Sequence, residues 1–368
     1  MTAPRLEIRL DRIRHNATTL VERLRRRGIA VTGVTKATLG SPAVARELLG
    51  VGIESIGDSR IENIEGIIRA GVSCPMTLLR SPMLSEANRV VASAHISLNT
   101  ELEVLERLSL CAHSQGRLHG VVLMVELGDL REGILPGDLE AAAGHTLGLP
   151  GLTLRGIGTN LACQSGVAPD QEKMDELSGL ATSLESTFGV TLDIVSGGNS
   201  ANLEWALGSN DVGRVNNLRL GEAIFLGREP LHRRAVDGLH TDAVTLVAEV
   251  IESKIKPSKP WGDIQQTAFG NVEPGPDRGS SVRAVLAVGV QDVDPNGLVA
   301  PDGVTILGAS SDHLVVDAGS TLLPVGSEVR FGVDYSALLR AMTSPFVSKV
   351  LGAGAREWTA AEHHSANA

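Results

Sequence analysis

The sequence predicts an α/β protein, a (β/α)8 TIM-like barrel followed by a C-terminal all-β domain. Three observations predict it. Eight strand-like apolar runs recur at intervals of roughly 20 to 35 residues, with helix-like stretches between them, as in βα units. Beyond about Pro230 the helical signals fade and alternating strands separated by Pro and Gly turns take over. The length of 368 residues also exceeds one ordinary core and suits a large barrel with a second domain.

In chain order, Leu6 to Leu10 alternates apolar and charged residues as a half-buried strand does. Asp11 is then placed to cap a helix carrying Ile13, Leu20 and Leu24. The eight barrel runs are GIAVTGVTK, GIESIGDS, PMTLLRS, AHISLN, GVVLMVEL, LRGIGTN, LDIVSGG and VGRVNNLRL. Helical stretches such as Ile61 to Ala70, Asn99 to Leu110, Gln171 to Phe188 and Ala201 to Leu207 lie between them. The pattern closes a barrel near Leu226. The second domain offers strands at Ala243–Ile251, Val282–Val288, Val304–Leu307, His313–Val316 and Glu328–Phe331, then a helix near Ser336–Met342. A Pro- and Gly-rich loop spans Lys254 to Gly279. The expected domains are a barrel over 8–235 and a β domain over 236–354 joined by the N-terminal strand within 1–10. A tail without fixed structure is expected over 355–368.

Composition narrows the function. The net charge of −10 argues against nucleic acid and anionic membrane as partners. Three cysteines (Cys74, Cys111, Cys163) lack metal-ligand spacing and suit reduced thiols, and the charged N-terminus has no apolar signal core. No run approaches the length of a membrane span. A cytoplasmic protein with no metal site is expected. Aromatics are only 2% of residues, so aliphatic packing must fill the core.

The chemistry centres on VTGVTKATLG, residues 31–40. A β-branched run delivers Lys36 to a strand's carboxyl end, the place where barrel enzymes keep catalytic groups. Ser41 as N-cap and Pro42 at the first helical position start the next helix. A lysine's readily shifted pKa suits it to form an imine. The loops after the seventh and eighth strands, SGGNSANL and RLGEAIFLG, stand where such barrels bind phosphate. Glycines there admit close backbone approach, Ser200 adds a hydroxyl, and Gly221 and Glu222 offer backbone N–H groups. A lysine for an imine and two loops for a phosphate together describe pyridoxal 5′-phosphate.

On these residues the chain resembles the alanine racemase family of pyridoxal-phosphate enzymes (fold type III), and most closely its alanine/ornithine racemase branch. VTKATLG, GNS at 198–200 and RLG at 219–221 are the main anchors. LDRIRHN, MVELGDLREG at 124–133, AVGVQD and GASSDHL extend the resemblance over residues 5 to about 350. It implies that Lys36 binds the cofactor and serves as one of two Cα bases. Arg219 would face the pyridine nitrogen, where a permanent cation discourages ring protonation. Arg131 would hold the cofactor's phenolic oxygen or the substrate carboxylate. Asn160 takes a ring-side position that is histidine in many relatives, and Tyr335 would contact the phosphate.

In this family the second base is a tyrosine from the partner subunit's β domain. The corresponding stretch here reads Gly289-Val290-Gln291-Asp292 and has none. Candidate replacements are Asp292 and the Ser311-Asp312-His313 run, with Asp312 the catalytic candidate there. Ser311 and Asp312 match residues that reach the neighbouring active site in the related decarboxylases. Asp312 is therefore expected to select a substrate with a distal amine, and His313 to be structural. The implied function is racemisation of a basic amino acid such as ornithine by a homodimer with shared active sites. Alternatives are a non-catalytic pyridoxal-phosphate carrier and a pyridoxal-phosphate lyase or decarboxylase, against which Arg219 argues.

Overall fold

The computed structural model describes residues 2–270, 276–352 and the backbone of 357–358. The chain forms two compact units, one of residues 12–241 and one of residues 1–11 with 242–368. In chain order β1 (Arg5–Ile8) and α1 (Leu10–Arg25) come first. There follow β2 (Ala30–Val34), α2 (Pro42–Leu49), β3 (Ser55–Asp58), α3 (Ile61–Arg69), β4 (Met76–Leu78), α4 (Ala87–Ser93), β5 (Ile96–Asn99) and α5 (Leu102–Ser114). Next are β6 (His119–Val125), α6 (Leu139–Leu147), β7 (Leu152–Thr159), α7 (Gln171–Phe188), β8 (Ile194–Ser196), α8 (Leu203–Gly208), β9 (Asn217–Leu220) and α9 (Glu222–Leu226).

The strands β2 to β9 close into a parallel barrel in sequence order, with β9 paired back on β2. Parallel strands are buried on both faces and need near-continuous apolar runs. β6 shows it, being buried at every position. Helices cover the outside through faces of helical spacing, such as Ile61, Ile64 and Ile67 of α3. Ser41 caps α2 with Pro42 at its first turn, as expected. Asp11 does not cap α1. The helix already begins at Leu10, so Asp11 lies within its first turn, and the Arg9 guanidinium pairs with its carboxylate at 2.8 Å.

The other unit is built on β10 (Val244–Pro257), β11 (Ser280–Leu286), β12 (Leu298–Val299), β13 (Thr305–Ala309), β14 (Leu314–Asp317), β15 (Glu328–Val333), α10 (Tyr335–Thr343), β16 (Ser348–Leu351) and β17 (Glu357–Trp358). Its sheet runs β13-β14-β11-β10-β1-β16-β17, with β15 on β10 and β12 on β15. β10 is longer than the sequence suggests. Its first half pairs with β1 and β15, and beyond an irregularity at Val250/Glu252 its second half pairs with β11. Part of the expected Lys254–Gly279 loop is therefore strand, and residues 271–275 of it lie outside the described residues. The expected loose tail also lies outside them, apart from β17. No helix among the described residues is long and apolar enough to cross a membrane.

Candidate active site

The barrel unit gathers its chemistry at the carboxyl ends of β2, β6, β7, β8 and β9. Lys36 stands just after β2 in a short 3-10 turn closed by Leu39 at φ 50°. Asp58, ending β3, fixes the residue before the lysine. Its buried carboxylate accepts from Thr35 Oγ1 at 2.8 Å, from Asn63 Nδ2 at 2.9 Å and from the Arg60 amide at 3.0 Å. Burial lowers the Lys36 pKa below the ordinary lysine value. Cys163 and Asp58 oppose that shift, and the cations of Arg131 and Arg219 add to it.

Arg219 projects from β9 and is buried. Nη1 donates to Ser196 Oγ at 2.5 Å; Nη2 donates to Thr159 O at 2.8 Å and Asn160 Oδ1 at 3.3 Å. These acceptors are all neutral. Burial pulls its pKa down to about 10, which still leaves a cation at neutral pH. Asn160 Oδ1 also accepts from Asn199 Nδ2 at 3.2 Å, while the buried Asn160 Nδ2 has no partner. A buried amide without a partner marks a place where a ligand acceptor fits.

The two glycine loops adjoin these groups. Asn199 caps the 3-10 turn at Ser200 by accepting from Ala201 N at 2.7 Å. Ser200 Oγ accepts from Ala223 N, in α9, at 3.2 Å, which ties the two loops together. A Cβ on Gly221 would lie 3.1 Å from both Val34 Cβ and Val34 O, so only glycine brings the end of β9 against the end of β2 without displacement. Glu222 follows as the first residue of α9. Lysine, arginine, unpaired amide and close-packed loops converge on one mouth.

Arg131 lies in a tight loop that Glu126 shapes by accepting from the Gly128 and Leu130 amides at 2.5 and 3.1 Å. The guanidinium pairs with the adjacent Glu132. Asp129, in the same loop, was not anticipated from the sequence. Its carboxylate accepts backbone N–H groups from Cys163, Gln164, Ser165 and Val167 at 2.8 to 3.3 Å and so holds the loop after β7. Burial alone would raise its pKa; the four donors outweigh it and leave it below the ordinary carboxylate range. Asp129 and Cys163 share the one signal that could have found them, a place just past a strand's carboxyl end, and Asp58 stands at such an end.

The remaining expected residues belong to the β unit. Asp292 is buried; its oxygens accept from Gly289 N at 3.1 Å and Ser344 Oγ at 3.1 Å. One oxygen is engaged inside the turn and the other by the residue that ends α10, which fits a shape-holding role. Asp312 is exposed and accepts from Ser311 Oγ at 2.7 Å and from Gln291 Nε2. His313 is also exposed, its Nδ1 lying 3.5 Å from Ser310 Oγ. Tyr335 is the first residue of α10.

Residues 8–229 match the family model for the N-terminal domain of alanine racemase. The chain belongs to the alanine racemase family. It is 41% identical to the lysine racemase of Thermotoga maritima over 353 residues, covering 95% of this chain and 99% of that protein. It is 36% identical to the ornithine racemase of Acetoanaerobium sticklandii over the same shares of both chains. Solved structures share the fold. An alanine racemase from Streptomyces lavendulae superposes with TM-score 0.74 at 20% identity, covering 99% of this chain and all of that one. A D-threonine aldolase from Filomicrobium marinum gives 0.73 at 16% identity, covering 97% and 94%. The expected barrel with a separate β unit is what the structure has.

Proposed function

We propose that this protein is a pyridoxal-phosphate-dependent racemase of basic amino acids, working in the cytoplasm as a homodimer. The observation that carries the chemistry is Lys36, a lysine with a burial-lowered pKa, at the same barrel mouth as the buried cation Arg219. The lysine and ornithine racemases aligned along almost the whole chain support the substrate class. When bound, the cofactor supplies an electron sink for the pair left at the substrate's Cα.

Lys36 would bond to the aldehyde carbon, and the backbone around Ser200 and Gly221 with the Ser200 hydroxyl would receive the phosphate. The Asn160 amide and Arg219 would meet the ring. Arg219 stays a donor and offers the ring nitrogen no proton, which suits proton return to Cα over side reactions. A lowered pKa leaves more of the Lys36 amine neutral, so it can take a proton from Cα and give it back on its own face. Arg131 would attract the substrate carboxylate. In the homodimer reading, the partner's β unit completes the other face. Asp312, exposed and braced by Ser311 and Gln291, presents an anion for a distal ammonium group there.

The test is chiral chromatography of lysine, ornithine and alanine incubated with cofactor-loaded protein. Enantiomers have equal free energy, so a racemase carries either pure enantiomer to an equal mixture, fastest for the basic amino acids. Loss of amino acid with carbon dioxide release would replace the proposal with decarboxylation. No change in any substrate would favour a carrier.

A further inference from the structure

Side chains at alternate strand positions converge inside a barrel. Here the interior has two halves. One is apolar: Leu98, Val122 and Met124 are buried together with Leu79, Ile96 and Ile194 against them. The other, from β8 through β9 and β2 to β3, carries a continuous chain of hydrogen bonds. Arg219 Nη1 donates to Ser196 Oγ at 2.5 Å, and Ser196 Oγ donates to Asn217 Oδ1 at 2.8 Å. Asn217 Nδ2 donates to Thr32 Oγ1 at 3.0 Å, and Thr32 Oγ1 lies 3.0 Å from Ser55 Oγ. Sheet register sets it up, with Ser196 opposite Asn217 and Thr32 opposite both Arg219 and Ser55.

Counting hydrogens gives the chain a direction. A serine hydroxyl has one hydrogen, and that of Ser196 goes to Asn217, so Ser196 meets Arg219 only as an acceptor. Asn217 Nδ2 donates to Thr32 Oγ1, and the Thr32 and Ser55 hydroxyls share one further hydrogen bond. Setting the Asn217 amide the other way round would strand the Ser196 hydrogen with no acceptor in the chain. The acceptor end therefore faces Arg219. All five members of the chain, Arg219 included, line a cavity of about 520 Å³.

We propose that Asn217 and Thr32 are positioning residues that act through Ser196 to hold the Arg219 guanidinium as a donor toward the cofactor ring. The inference rests on the pyridoxal-phosphate reading above and adds residues outside the mouth to it. Its consequence is electronic: with the chain broken, Arg219 Nη1 loses its fixed acceptor while Thr159 and Asn160 still hold Nη2, and the ring's response to protons changes.

The experiment compares Asn217→Leu, Thr32→Val and Thr32→Ser with the parent, each loaded with pyridoxal phosphate. Four quantities are read: the pH midpoint of the visible absorbance band, cofactor affinity, kcat with KM, and the thermal midpoint. Asn217→Leu is expected to move the absorbance midpoint by about one pH unit and lower kcat about tenfold, with KM within about twofold. Thr32→Val should shift both in the same direction and less, and Thr32→Ser, which keeps the hydroxyl, should restore parent values. If Asn217→Leu does not fold, the Thr32 pair decides. Unchanged absorbance midpoints and kcat in folded variants would overturn the proposal, as would losses that follow only the thermal midpoint. A parent protein with no visible band would instead sink the cofactor reading.

Discussion

The barrel mouth and the acidic turn of the β unit are both rich in polar groups, yet they are built in opposite ways. At the mouth, Lys36 and Arg219 are drawn into the protein, Arg219 donates to the neutral oxygens of Ser196, Thr159 and Asn160, and Asn160 keeps a buried N–H group unsatisfied. Such groups are costly to bury, and cations and an N–H group held this way suit a ligand with acceptor atoms and negative charge. In the β unit, Asp292 spends its carboxylate on Gly289 and Ser344, and Asp312 is braced by Ser311 and Gln291. Those groups satisfy one another. The difference teaches that the barrel mouth keeps cations and an amide N–H open to a ligand, while the acidic side chains of the β unit are tied to their neighbours, with Asp312 exposed.

The largest effect should come from the mouth. Lys36→Ala is expected to abolish the visible band of the loaded protein and to reduce racemisation by at least about a thousandfold; an unchanged spectrum would break the comparison at its strongest point. The lowered Lys36 pKa also sets a pH dependence. The neutral amine is the reactive form, so the rate of cofactor loading should rise with pH and reach its midpoint below that of an ordinary lysine. A midpoint at the ordinary lysine value would contradict the burial argument.

Asp129 comes next. Its Ala variant strands four backbone N–H groups, and a stability loss of about 2–3 kcal/mol is expected in denaturant unfolding. Because its folded pKa lies below the unfolded one, its contribution is present above the unfolded value and is lost as pH falls through the folded value. The stability difference between parent and Asp129→Asn should therefore shrink in acid. A constant difference would remove the charge from the explanation.

Effects in the β unit should be smaller and of another kind. Asp312→Asn is expected to raise KM for lysine or ornithine about tenfold while leaving alanine unchanged, since only the former carry a distal cation. Equal losses on all substrates would sink the selection role. Asp292→Asn should lower the thermal midpoint modestly, by about 1 kcal/mol of stability, with kcat retained. A large fall in kcat without a stability change would instead make Asp292 the second proton carrier.

The sequence made the barrel legible because each parallel strand is an apolar run of its own, and helix starts such as Ser41-Pro42 carry local signals. Lys36 and Arg219 were legible for the same reason, standing at strand ends within recognisable stretches. What stayed hidden depends on contacts between distant segments. Asn217 and Thr32 are 185 residues apart, and no local pattern announces their hydrogen bond. Likewise β16 pairs in parallel with β1 from the opposite end of the chain. Asp129 reads as an ordinary loop acid until the loop after β7 folds over it.

The most direct measurement is solvent-deuterium exchange at Cα, followed by NMR, for L- and D-lysine and L- and D-ornithine with cofactor-loaded protein. The account expects deuterium incorporation with inversion from either enantiomer, abolished by Lys36→Ala. Exchange with full retention of configuration, or no exchange in any substrate, would contradict it.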